Sequence, residues 1–212
     1  MTALRSVVRL AVGLVAVVIA GQGCAPMFSD ARLVGTGQTE VTASLTPTGA
    51  SVMGENRHLM TDYRIQAMRG VADRLDIGVG YARLQQADGG SGAHAIGFGP
   101  KLALVSDRVA VAARVGLLFG DEVPVSQSWH VEPAVLFTLP LTDRIDLNPS
   151  ARFLIPFCED CETLIGFNVG LGISAGSRRM RLRPEVGWLF SPRESGVVWT
   201  MGLGVSFRTT PW

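Results

Sequence analysis

Residues Gly196 to Phe207 place Val197, Trp199, Met201, Leu203, Val205 and Phe207 on one face of an extended chain. Val198, Thr200, Gly202, Gly204 and Ser206 fall on the other. Period-two alternation over about ten residues, apolar on one side and small or polar on the other, suits a strand between lipid and a narrow lumen. The same pattern recurs upstream and predicts ten strands: Thr39–Leu45, Tyr63–Gly70, Leu75–Leu84, Ala95–Val105, Val109–Phe119, Trp129–Leu141, Ile145–Phe157, Leu164–Ala175, Met180–Phe190 and Val197–Phe207. An arginine within a short polar turn recurs at Arg74, Arg108, Arg144 and Arg179, at spacings of 34, 36 and 35 residues. Each such turn joins two alternating runs. The remaining links are longer: Thr46–Leu59, Gln85–Ala93, Gly120–Ser128, Cys158–Glu162 and Ser191–Ser195. Short turns at one end, longer loops at the other and an even strand number describe an all-β, ten-stranded, up-and-down antiparallel transmembrane β-barrel.

Carrying the Val197 parity upstream puts Ile145, Leu147, Phe153, Ile155 and Phe157 outside. Ile165, Phe167, Val169, Leu171 and Ile173 join them, as do Leu182, Val186, Trp188 and Phe190. An Arg or Lys on that face near mid-membrane would cost about 2–4 kcal/mol, so charges within strands are expected to point inward. The inward set holds Glu40, Asp62, Asp76, Glu132, Asp146 and Glu185 against Arg64, Lys101, Arg114, Arg152, Arg181 and Arg183, with His130 among them. Equal signs in a narrow lumen suggest cross-strand ion pairs that fill it, whereas a wide ion-selective pore would carry an excess of one sign. Inward glycines, among them Gly78, Gly97, Gly170, Gly202 and Gly204, either open room or relieve crowding.

Charged residues make up only 17% of the 212-residue chain and the formal net charge is +1, so the balance points to no nucleic-acid partner. At the N-terminus, Arg5 and Arg9 precede an apolar run from Leu10 to Ala20, and small residues lead to Cys24. This is the layout of an export signal over residues 1–23. Gly23-Cys24 resembles the lipobox of bacterial lipoproteins, although Gly21 stands where that family prefers Leu. The resemblance implies a lipidated Cys24 as first mature residue, and Ala25 after it is similar to lipoproteins sent to the outer membrane. An ordinary signal peptide cut nearby is the alternative. Residues 24–38 then form an N-terminal periplasmic segment, and residues 39–212 the barrel.

The alternating strands, the Asp-Arg turns and the terminal strand together resemble small Gram-negative outer-membrane β-barrel proteins. That resemblance implies an outer-membrane location, contact with outer-membrane lipids and an aromatic-ended signal for the barrel insertion machinery, matched by Trp199, Met201, Leu203, Val205 and Phe207. Arg208-Thr-Thr-Pro-Trp212 departs from the family, which usually stops at the aromatic. The main alternative fold, a soluble lipocalin-like barrel, would turn the apolar face inward.

Few residues carry chemistry. Cys158 and Cys161, in a predicted loop, are expected to form a disulfide in an oxidising compartment. A thiolate metal site would need further ligands, and no cofactor is implied. Ser128, His130 and Glu132 share a strand face and supply the residue types of a hydrolytic relay. Residues two apart on a strand are roughly 7 Å apart, too far for a relay without help from neighbouring strands. The enzymatic reading, similar in outline to the lipid A deacylases, therefore ranks third. A structural or interaction role with a filled lumen leads, and a porin-like channel for small solutes follows.

Overall fold

The computed structural model describes residues 28–52, 55–90, 92–120, 129–158, 161–175, 179–192 and 196–209. Their strands are β1 (Thr39–Val52), β2 (Glu55–Ala72), β3 (Leu75–Gln86), β4 (Ala93–Val105), β5 (Val109–Phe119), β6 (Trp129–Phe137), β7 (Leu139–Pro140), β8 (Ile145–Pro156), β9 (Leu164–Ala175), β10 (Met180–Phe190) and β11 (Val197–Arg208). Each strand pairs antiparallel with its sequence neighbour, and β6 with its two-residue continuation β7 forms one stave against β8. The ring closes where β1 meets β11, in register from Glu40↔Arg208 to Ser51↔Val197. The result is a closed ten-stave antiparallel barrel.

Alternation along each strand places the two chemistries on opposite faces. On β3, Ile77, Val79 and Tyr81 are exposed outside while Asp76, Ala82 and Leu84 are buried inside. On β10, Val186 and Trp188 face out while Arg181, Arg183 and Glu185 are buried. The lipocalin-like orientation is thereby excluded, since the charges are inside and the large apolar side chains outside. Among the described residues, no helix is long and apolar enough to cross a membrane.

Two regions differ from the sequence expectation by more than two residues. The Thr46–Leu59 link is mostly strand: β1 continues to Val52 and β2 begins at Glu55. Thr-Pro-Thr-Gly reads locally as a turn, but pairing with β2 on one side and β11 on the other overrides that preference. The ladder to β11 skips from Leu45↔Leu203 to Thr48↔Thr200, and Pro47, which has no N–H to donate, lies in the gap. A bulge between Thr48 and Gly49 absorbs the irregularity. The expected strand Trp129–Leu141 is likewise interrupted at the fully buried Thr138.

At the long-loop end the inward positions also become apolar. Met60, Leu84, Leu118, Leu154, Leu164, Leu189 and Val198 gather with Ala50, Ala82 and Ala95 into a buried layer across the lumen. Leu118 is 0% exposed. Leu118→Ala should lower the unfolding free energy of the refolded barrel by about 2–5 kcal/mol in a denaturant titration, as expected for a truncated core leucine.

Candidate functional site

The chain entering β1 does not lie outside the barrel. Periplasmic placement was the expectation for residues 24–38, but from Phe28 to Val34 the described part sits within the lumen. Contacts come from all round the wall. The Phe28 amide donates to Glu185 Oε2 on β10 at 3.0 Å, and the Ala31 amide to Thr138 Oγ1, between β6 and β7, at 2.9 Å. The Val34 amide donates to Asp76 Oδ2 on β3 at 3.0 Å, and Lys101 Nζ on β4 to the Arg32 carbonyl at 2.6 Å. Phe28, Asp30, Ala31 and Val34 are all buried. Backbone donors that would be orphaned in a dry lumen are thus met by wall side chains.

Sequence explains how the chain gets there. Gly35 and Gly37 adopt φ values of +96° and +78°, which L side chains rarely take, and turn the segment from lumen to wall. Gly37 N donates to Gly70 O at 2.8 Å. A Cβ on Gly70 would collide with the Gly35 carbonyl. On β11, Gly202 and Gly204 leave the space that the Phe28 ring occupies.

Ion pairs fix the segment in place. Asp30 Oδ2 lies 3.1 Å from Arg181 Nη1 and 3.0 Å from Arg183 Nη1. Arg32 Nη2 lies 2.7 Å from Asp146 Oδ1, whose other oxygen is 3.0 Å from Arg181. Arg183 also reaches Glu40, which Arg208 contacts at 2.8 Å, and Lys101 pairs with Asp76 at 3.2 Å. Burial alone would raise the Asp30 carboxyl, but the fields of Arg183, Lys101, Arg181 and Arg208 outweigh it and hold the group well below the ordinary carboxylate range.

Nearer mid-lumen, Glu132 bonds Arg152 at 2.8 Å and Asp62 bonds Arg64 at 2.9 Å. Arg114 stands opposite Glu132 in register. His130 lies over Gly116, where a Cβ would overlap its ring. All thirteen proposed lumen residues therefore point inward, in a shorter-turn layer that holds the segment and a layer above it. Asp30 and Arg32 had no place in the sequence expectation, because a short segment shows no periodicity; opposite charges two residues apart just before the first strand were the available signal. Arg208, which follows Ser206 on the inward face of the terminal strand, reaches Glu40.

Other expected features lie elsewhere. Trp199, Met201, Leu203, Val205 and Phe207 face outward on β11. Cys158 and Cys161 are joined by a disulfide at the long-loop end, with Cα atoms 5.4 Å apart. Cys24 and Ser128 lie outside the described residues. No group of three or more His, Cys, Asp or Glu side chains suited to a metal is found among the described residues. The carboxylate of Glu132 is engaged by Arg152, not His130. Beside Ser29, the segment and the wall at Met68, Gly78, Gly99 and Lys101 leave a cavity of about 20 Å³, room for about one water.

Breaking one partner of a buried ion pair leaves an uncompensated charge. Asp30→Asn should therefore speed hydrogen exchange at the Ala31 and Val34 amides and lower stability by about 3–5 kcal/mol. A carboxyl held low on folding contributes stability above its unfolded pKa and loses it as pH falls through the folded value. Those amides in the native protein should accordingly stay protected when pH is lowered from 7 to about 4.

No family model matches the chain, and no curated protein matches it. Solved structures are similar to it at low sequence identity. A designed transmembrane β-barrel aligns with 82% of this chain and 97% of its own at 11% identity and a TM-score of 0.40. Ail, the attachment invasion locus protein of Yersinia pestis, aligns over 82% of this chain and 99% of its own at 9% identity and 0.40. The translocator domain of the autotransporter NalP from Neisseria meningitidis covers 82% and 88% at 10% identity and 0.46.

Proposed function

We propose that this chain is a closed barrel of the Gram-negative outer membrane with a structural or interaction role, its lumen shut by its own N-terminal segment. The observation that carries this reading is closure at two levels. Residues 28–34, tied by Asp30 and Arg32, fill the short-turn half, and the leucine layer of Leu118, Leu154, Leu164 and Leu189 crosses the long-loop half. A pore for small solutes needs a continuous polar path, and an apolar constriction opposes one by dewetting. The segment brings one acid, Asp30, and one base, Arg32, and each is paired with a charge of opposite sign on the wall.

The outer wall supports the location. Val41, Ile65, Val79, Phe98, Phe167, Met201 and Leu203 form part of an exposed apolar band far larger than a soluble monomer tolerates. The export signal at residues 1–23 and a lipid on Cys24 belong to the same proposal.

Single-channel recording in planar bilayers tests the closure. The native protein should be silent, and a variant lacking residues 28–34 and carrying Leu154→Ser and Leu189→Ser should show stable steps. Steps from the native protein would make it a channel and refute the filled lumen.

A further inference from the structure

We propose that the outer face of β2–β5, at the long-loop end, binds the phosphorylated headgroup of an outer-leaflet glycolipid through Arg83 and His94; this rests on the membrane reading above. Antiparallel register sets Tyr63, Arg83, His94 and Phe119 side by side in one row across four strands. The next row towards mid-barrel is Ile65, Tyr81, Ile96, Leu117 and Trp129. Arg83 thus stands one step beyond an apolar row carrying a Tyr and a Trp, the residues that sit at headgroup level in membrane proteins.

His94 is held in a fixed pose. Its ring stacks between Tyr81 at 5.9 Å and Phe119 at 5.4 Å, and its Nδ1 is 2.7 Å from the Tyr81 hydroxyl. The tautomer that accepts from Tyr81 at Nδ1 carries its proton on Nε2, leaving that N–H as a donor. Arg83, in register with it and exposed, has Nη2 at 3.3 Å from the neutral amide oxygen of Gln85. Among the described side chains, no carboxylate lies on the outer faces of β2–β5; Asp62 and Asp76 are buried inside.

A guanidinium one row past the aromatic residues is tolerated at the interface, and with no carboxylate beside it an anionic headgroup is the partner that matches its charge. Phosphate oxygens match its planar fork, and a second donor beside it suits a group with several acceptors. The patch is local. At the same end of β8–β11 the outer wall stays apolar to the rim, with Phe157, Ile165, Trp188, Phe190 and Trp199. Long loops mark the outward end of such barrels, which places the patch in the leaflet where a phosphorylated glycolipid is the anionic species.

Flotation of the refolded full chain with liposomes comes first, because failure to float would sink the membrane reading itself. Native mass spectrometry in detergent then compares bisphosphorylated lipid A, the same lipid stripped of phosphate, and phosphatidylglycerol, with heat-modifiable gel mobility confirming that each variant is a closed barrel. The bisphosphorylated lipid should be retained best. Arg83→Ala should weaken it about tenfold, the loss of one charge-assisted contact, with a smaller loss for His94→Gln. Arg83→Lys should fall between, and Arg69→Ala, at the other end of the same wall, should match the native protein. Native-like retention by Arg83→Ala, or equal retention of the phosphate-free lipid or of phosphatidylglycerol, would overturn the proposal.

Discussion

Arg183 is the contact on which the lumen turns. Its guanidinium meets Asp30 of the inserted segment and Glu40 of the first strand, while its Nε donates to Ser206 of the last strand at 2.7 Å. One side chain on β10 therefore joins the plug to both strands of the closing seam. Glu40 is held from the other side by Arg208, and Ser206 also bonds Thr42 across the β1–β11 pair at 2.7 Å. Removing charges from water here is expensive, and mutual attraction offsets that cost only when geometry is satisfied throughout. Such a network adds little to stability over an apolar filling. Its consequence is specificity: if the segment is out of place or the seam slips, several charges lose partners at once.

That constraint explains which features were legible in the chain. Strand number, strand direction and the inward charged set follow from alternation, because a charge on the outer wall is penalised at every strand alike. Thr46–Gly49 was misleading for a physical reason. Its composition favours a turn, and only the ladders on both sides, invisible to local reading, hold it extended. The Phe28–Val34 segment was missed because a plug obeys the lumen's chemistry and not a strand's period. Its partners Asp76, Asp146, Arg181 and Arg183 were all identified as inward, yet nothing in one sequence couples them to Asp30. The apolar layer was hidden differently: Leu118, Leu154 and Leu189 follow or precede outward apolar residues, so the doubled pattern reads as the end of a strand.

Glycines join the wall to its filling. They could have opened the lumen, but their faces are occupied. Gly202 and Gly204 meet Phe28, Gly116 meets His130, Gly78 meets Met68, and Gly172 meets Arg181 and Asn148. Small residues on one strand thus receive large ones from a neighbour or from the segment. Close packing of this kind is sensitive to added volume, so the same glycines that would widen an empty barrel make this one depend on its contents.

Inside and outside then differ in how they answer the same electrostatic problem. Every inward arginine can be answered by a carboxylate of the same chain, because the lumen is enclosed and its partners are fixed by register. Arg83 faces the other way, on a strand wall whose described outward side chains include no carboxylate. The fold that pairs charges inside cannot do so outside without placing an acid against lipid. On the proposed reading the membrane's own headgroups supply the anion for such a cation, and its position one row past the aromatic residues is where those are available. The rule that closes the lumen is thus the rule that leaves the Arg83 guanidinium for a partner outside the chain.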